Sequence, residues 1–193
     1  MKNAIAFYFL SVLVMFGFSG FPAAAQTPKP HNLQDLKQKL QADIPNLTCL
    51  TPQVATAGQP NFAAFQKLAQ NGFKSVINLR TATEGIDLKQ EQEMAEKAGL
   101  KYISIPVQTS APNPEQVPVF FAAVQNKTNQ PMLIHCGSAN RVGAFWLIYR
   151  VVKNGWTVEK AEAEAVSLGL TNPALKQFAL DYIRSVKSSP KSE

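Results

Sequence analysis

Cysteine is scarce in this chain. Two in 193 residues are too few for a disulfide-stapled scaffold, and no Cys-x-x-Cys pair suggests a structural zinc. No cluster of His, Asp and Glu has metal-ligand spacing, so no metal is expected. The glycine-rich loop and lysine of a nucleotide-phosphate site are also missing, so no nucleotide or other cofactor is expected. Charge of one sign is nowhere concentrated: Lys and Arg number 19 against 13 Asp and Glu, a formal +6. A dedicated nucleic-acid binder gathers its charge more than this, so no nucleic-acid partner is expected. The excess supports a weak preference for anionic ligands and no more. What remains, 46% hydrophobic, 9% aromatic and 17% charged, is an ordinary globular composition.

The first 25 residues read as a secretory signal. Lys2 supplies a positive start, Ala4 to Phe18 is an apolar run, and Ala23-Ala24-Ala25 is a small-residue cleavage pattern. The run falls short of the roughly 20 residues that span a bilayer, which weighs against an uncleaved anchor. Cleavage after Ala25 leaves 168 of the 193 residues and lowers the charge from +6 to +5, since Lys2 alone is lost. The expected location is periplasmic or secreted, with no membrane association once the signal is gone. No later stretch is long enough to span a membrane. The expected layout is a signal at 1–25, an N-terminal segment with a helix at 26–46, one α/β domain at 47–187 and a flexible tail at 188–193. A chain of this size buries about 70% of its unfolded surface in one core, and a monomer is expected.

Along the mature chain, helical and extended patterns alternate. Leu33, Leu36 and Leu40 predict a helix between His31 and Asp43, and Asn46 to Val54 reads as extended. Pro60 can open a helix carrying Phe62, Phe65 and Leu68, stopped at Asn71-Gly72. Lys74 to Leu79 and Lys101 to Val107 read as strands around a helix from Leu88 to Ala98. Asn113-Pro114-Glu115-Gln116 has the residue types of a helix start. Pro131 to His135 is apolar enough for a strand buried on both faces. Helices at Arg141–Lys153, Thr157–Leu168 and from Asn172-Pro173 onward complete the pattern. Phe120, Phe121, Phe145 and Trp146 read as core. The alternation predicts an α/β fold, three-layered, with a mainly parallel central sheet and flanking helices. Ligands in such folds bind beyond the carboxyl ends of the strands.

One such end carries chemistry. A buried strand delivers His135-Cys136 into Gly137-Ser138-Ala139-Asn140, and Arg141 then opens a long helix. The loop amides from Gly137 to Arg141 can form a nest for an anion, and the helix N-terminus adds positive potential. The planar fork of Arg141 suits two oxygens of a tetrahedral oxyanion. The same field favours a thiolate, so Cys136 is expected to be nucleophilic. His135 can orient the loop from behind. The alternative is a buried cysteine in a plain strand-to-helix turn, where it packs as a small hydrophobe. Arg80 and Glu84 follow another strand end, where they either line the pocket or sit on a solvated loop. Gln59 either faces the cleft or belongs to a plain Gly-Gln-Pro turn, the favoured reading. Ser138 and Asn140 either assist the thiol or satisfy the loop backbone.

From Leu47 to Leu170 the chain resembles the bacterial β-lactamase-hydrolase-like phosphatase domains, which are related to dual-specificity protein-tyrosine phosphatases. The landmarks are Thr56 to Pro60, Gly72 to Arg80, Gly99 to Tyr102 with Ile105-Pro106-Val107, His135 to Gly143, and Gly169-Leu170-Thr171. The resemblance implies a tyrosine-phosphatase-like fold, Cys136 as nucleophile and Arg141 as phosphate clamp. Gly137, Ser138, Ala139, Asn140, Arg80 and Gln108 are the expected substrate-binding residues, and the expected substrate is a phosphorylated small molecule or phosphoprotein. Two features depart from the wider tyrosine-phosphatase pattern. Four residues, not five, separate Cys136 from Arg141, a loop length that also resembles the persulfide-carrying rhodanese loop. And the loop Gln108 to Glu115 holds no aspartate: Gln108 stands where the acid belongs, and glutamine cannot protonate a leaving oxygen. Loss of a general acid costs about 10² to 10⁴ in rate. The expected function is therefore a cysteine-dependent phosphate monoester hydrolase, slowed by the missing acid. A sulfurtransferase or persulfide carrier, and an inactive oxyanion-binding module, stand as alternatives.

Cys49 lies on an early strand or its loop. An exported protein meets an oxidising compartment, so a bridge to Cys136 is conceivable, with a buried free thiol the favoured reading.

Overall fold

The computed structural model describes residues 33–188; the signal-peptide reading and His31 lie outside them. Twelve elements follow in order: α1 (Leu33–Leu40), β1 (Thr48–Thr51), β2 (Val54–Ala57), α2 (Ala63–Gln70), β3 (Ser75–Asn78), α3 (Leu88–Lys97), β4 (Lys101–Ser104), α4 (Gln116–Gln125), β5 (Met132–His135), α5 (Asn140–Val152), α6 (Val158–Leu168) and α7 (Pro173–Ser188). The strands form one sheet in the order β1-β2-β5-β3-β4. The pairs β2–β5, β5–β3 and β3–β4 are parallel; β1 runs antiparallel to β2. The single extended segment expected from Asn46 to Val54 is instead the first arm and turn of this hairpin. Pro52-Gln53 breaks it, because Thr51 Oγ1 accepts the Gln53 and Val54 amides and turns the chain.

The three inner strands are buried at every position, as parallel strands covered on both faces must be. Side chains alternate between faces. Val54, Ile77, Met132 and Ile134 enter a core with α4 to α7, while Ala55, Val76 and Leu133 enter a second core with α1, α2 and α3. This is the three-layer α/β fold with a mainly parallel sheet. Phe120 and Phe145 are fully buried and meet edge to face at 5.4 Å, a favourable geometry for two rings. Leu36, Leu40 and Ile44 bring α1 and the turn after it into the second core.

Local signals place the ends. Thr157 caps α6 by accepting the Lys160 amide, and Asn172 accepts the Leu175 amide at the start of α7. Asn113 and Gln116 bond reciprocally across the turn before α4: Asn113 Oδ1 accepts the Glu115 amide and Gln116 Oε1 accepts the Asn113 amide. Pro60 does not open α2, which begins at Ala63 after a turn in which Asn61 Oδ1 accepts the Ala64 amide.

Parallel register brings Ala57, His135 and Asn78 side by side, with Ser104 beside Asn78. The carboxyl ends of four strands therefore open on one edge of the sheet, and β5 stands in the middle of them. Cys136 follows directly. Cys49 pairs with Ala55, which is level with Leu133. Cys136 lies three residues further on and two strands away, about 10 Å along and about 10 Å across, well beyond the reach of a disulfide. Both cysteines are free. Burial pushes the Cys49 thiol up, although Lys37 acts the other way.

The α5 helix can lie against the α6–α7 connection because residue 143 has no side chain. A Cβ there would stand 2.8 Å from Leu170 Cβ and 3.0 Å from the Ala165 carbonyl oxygen. Alanine gains about 1 kcal/mol in helix propensity, while overpacking typically costs about 1–3 kcal/mol. Gly143→Ala is thus expected to lower stability by about 1 kcal/mol, read as a lower urea midpoint with an unchanged slope.

Candidate active site

The loop after β5 is held from both sides. The Gln59 amide donates to the Gly137 carbonyl at 3.1 Å, and Gly58 bridges to Ser138. Gly58 is needed here, since a Cβ would lie 3.1 Å from the Gly137 oxygen and 3.2 Å from that of Pro45. Ala139 adopts a left-handed conformation, φ 70°, immediately before α5. That bend turns successive amides toward one side, as an anion nest requires. Among the described residues, the amides of Gly137, Ser138, Asn140 and Arg141 donate to no acceptor. Unpaired amides gathered at a helix start are suited to an anion.

Cys136 is 1% exposed and Arg141 5%. The guanidinium turns inward across the strand ends. Its Nη1 donates to the carbonyls of Leu79 (3.1 Å) and Val107 (2.9 Å), and to Glu84 Oε1 at 2.5 Å. Its Nη2 donates to Glu84 Oε2 at 2.6 Å. Burial alone would ease the proton off Arg141. The hydrogen bonds to Glu84 and the interaction with Cys136 outweigh it and hold the group more firmly protonated. Burial likewise works against the Glu84 carboxylate, but Arg141 and Thr81 bring its pKa down to about 2. Arg80 completes the brace: Nε donates to Glu84 Oε2, Nη2 to the Glu84 carbonyl and Nη1 to Gln59 Oε1. Arg80 and Glu84 thus belong to the site.

Behind the loop lies a second polar group. Glu91 on α3 is fully buried and accepts from Gln59 Nε2 (2.5 Å), Asn78 Nδ2 (2.7 Å) and the Tyr102 hydroxyl (2.7 Å). His135 Nε2 stands 3.3 Å from its Oε1. That is ion-pair distance without hydrogen-bond alignment, so neither ring nitrogen has a hydrogen-bond partner among the described residues. Burial would raise the Glu91 pKa; His135, Tyr102 and Gln59 bring it below the usual range instead. Burial is also the main cause of the raised Tyr102 pKa. His135 therefore lies at the end of β5 beside a carboxylate that sequence reasoning missed, with no hydrogen bond to the loop among the described residues. Gln59 is more than a turn residue: it joins the Arg80–Glu84 brace to Glu91.

Other candidates are placed differently. The Asn140 side chain turns away, accepting the amides of Thr171 and Asn172 at 2.7 and 2.8 Å. Its Nδ2 donates to Ser138 Oγ at 3.2 Å, so the side chain ties the loop to the start of α7. Ala139 is buried and carries the bend. Ser138 and Asn140 line a groove of about 480 Å³ with Lys37, Asn46 and Thr171. Gln108 is exposed and lines a different cleft of about 510 Å³ with Thr81, Thr83, Glu84, Thr109, Ser110 and Asn172. Glu115 is exposed and held in its own turn by Asn113. No group of three or more potential metal ligands gathers among the described residues.

An α/β domain of the tyrosine-phosphatase type is the class that this fold and loop define. The chain belongs to the family described as DSP-PTPase phosphatase fused to NAD+ kinase, which matches residues 32–180. It is similar to the β-lactamase hydrolase-like protein of Xylella fastidiosa (strain Temecula1), 30% identical over 119 residues, 59% of this chain and 27% of that protein. The chain thus spans about a quarter of its curated relative's length. A DUF442 protein of Shewanella putrefaciens CN-32 is 27% identical with a TM-score of 0.65, over 78% of this chain and 93% of that one. Below 25% identity, the same fold appears in Pseudomonas aeruginosa TpbA (23%, TM-score 0.59, 75% of this chain and 86% of that one). It appears also in the catalytic domain of the PP-IP phosphatase SIW14 of Saccharomyces cerevisiae (21%, 0.60, 75% and 93%). The chain is a homologue of dual-specificity and tyrosine-phosphatase-like enzymes.

A lowered carboxylate pKa stabilises the fold above the unfolded value, 4.5, and that contribution fades as pH falls toward 2. Glu84→Gln is expected to be less stable than wild type at pH 7. The gap should close as pH drops from about 5 to about 2, measured by urea unfolding across that range.

Proposed function

We propose that this chain is an exported, cysteine-dependent phosphatase that hydrolyses a phosphate ester through a phosphocysteine at Cys136. One observation carries the reading: an inward-turned, fully braced Arg141 beside Cys136, at a helix start whose loop amides are unpaired. The Cys136 sulfur attacks phosphorus. The nest amides and Arg141 bind the equatorial oxygens, where charge is held in the transition state. Glu84 and the two strand-end carbonyls hold Arg141 in one orientation, so little ordering cost falls on substrate binding. His135 positions the cysteine end of the loop from behind. A cleaved signal at 1–25 and a periplasmic or secreted location belong to the same proposal.

Relatives support the chemical class. A cysteine-to-serine form of P. aeruginosa TpbA has been crystallised with phosphotyrosine, and the SIW14 domain with citrate; both ligands are anions of the kind this loop suits. A phosphorylated small molecule or phosphoprotein fits the same site.

The purified chain is expected to release phosphate from p-nitrophenyl phosphate. Cys136→Ser and Arg141→Ala should each abolish release while leaving the circular dichroism spectrum intact. Activity in either variant would refute the mechanism. A sulfur-transfer role would instead show as one added sulfur on Cys136 after thiosulfate treatment. For location, amino-terminal sequencing of the protein from the periplasmic fraction should begin at Gln26.

A further inference from the structure

An ester oxygen leaving toward an ordinary alcohol or phenol needs a proton in the transition state. The chain has 13 Asp and Glu side chains. Among the described residues, Glu84 is the only one that lines the cleft of Gln108 or the groove of Ser138 and Asn140. Both of its oxygens are engaged by Arg141, with Thr81 bound as well. It is ionised at neutral pH, so it has no proton to offer. Glu91 is sealed behind the loop and Glu115 is held by its own turn. The cleft offers hydroxyls and amides instead: Thr83, Gln108, Thr109, Ser110 and Asn172. Such groups donate hydrogen bonds to an oxyanion but do not supply it with a proton.

We infer that the substrate is an activated phosphoryl compound whose leaving group departs as a stable anion without protonation: a carboxylate from an acyl phosphate, or a phosphate from a phosphoanhydride. This rests on the phosphocysteine chemistry of the reading above and narrows its substrate from an ester to an anhydride of phosphate. In the first step the Cys136 thiolate forms the S–P bond. The P–O bond to the leaving group breaks, and its electron pair stays on that oxygen as a carboxylate or phosphate anion. In the second step water forms a P–O bond and the S–P bond breaks, returning its pair to sulfur. Both water hydrogens leave with the product as dihydrogen phosphate. Neither step takes a proton from the protein. The second step also lacks a base, so phosphocysteine accumulates.

The test uses the full purified chain with acetyl phosphate, ADP, phosphotyrosine and a series of substituted phenyl phosphates. Rates are read as kcat/KM, with acid-quenched mass spectrometry for phosphocysteine. The expected result is a fall of about 10² to 10⁴ from the best to the worst phenol, with phosphotyrosine near the bottom. Turnover of acetyl phosphate or of ADP then shows which anion leaves. Gln108→Asp should flatten the series by raising phosphotyrosine hydrolysis. A flat series in the wild type overturns the inference. So does failure of both acetyl phosphate and ADP in a chain that forms phosphocysteine from an activated aryl phosphate; Cys136 chemistry survives either result. Absence of phosphocysteine with every substrate refutes the phosphatase reading itself, and the inference with it.

Discussion

The arrangement of this domain turns on a guanidinium held at the ends of several strands. Arg141 reaches the carbonyl that closes β3, the carbonyl beyond β4 and both oxygens of Glu84. A cation buried this far is tolerable only when its donors are met. The partners come from two loops, the one after β3 and the one after β4, so both must be in place together. Loop and helix are thereby pinned to the sheet without any metal or disulfide among the described residues. Arg80 repeats the device one layer out, fixing the Glu84 loop from a second direction.

The polar group behind the loop serves a different end. Glu91, Asn78, Tyr102 and Gln59 form a satisfied network in a nearly dry place, where each unmet group would be costly. His135 stands against it with its ring nitrogens lacking hydrogen-bond partners. The strand that delivers the cysteine is therefore backed by fixed negative charge, and the loop in front faces Arg141. Asn140 serves the same rigidity from the other side, tying the start of α5 to the start of α7.

Shortening the loop to four residues does not dismantle the nest: one left-handed residue, Ala139, turns the amides and starts the helix. The missing aspartate is the larger departure from the wider tyrosine-phosphatase pattern. In the proposed mechanism it leaves stabilisation of charge intact and removes proton delivery. These are separable contributions to catalysis, which is why family membership and substrate class are distinct questions here.

Much of the fold was legible in the residues themselves. Periodicity marked the helices, capping types such as Thr157 and Asn172 marked their starts, and the apolar run before His135 marked the central strand. The cysteine, the small residues and Arg141 are contiguous, so the loop could be read directly. The hairpin at Pro52-Gln53 was not, because its two arms are four residues each and carry no strong alternation. Nor were the pairings that build the site. Glu84 meets Arg141 across 57 positions and Gln59 meets Glu91 across 32. Gln59 read as a turn, Asn140 was open between the thiol and the loop backbone, and the distance between Cys49 and Cys136 was open too. Local signals act through neighbouring backbone and side chains and so are written in the order of residues. Which side chains share a space depends on strand order and register, and those arise only when the whole sheet closes on its two cores.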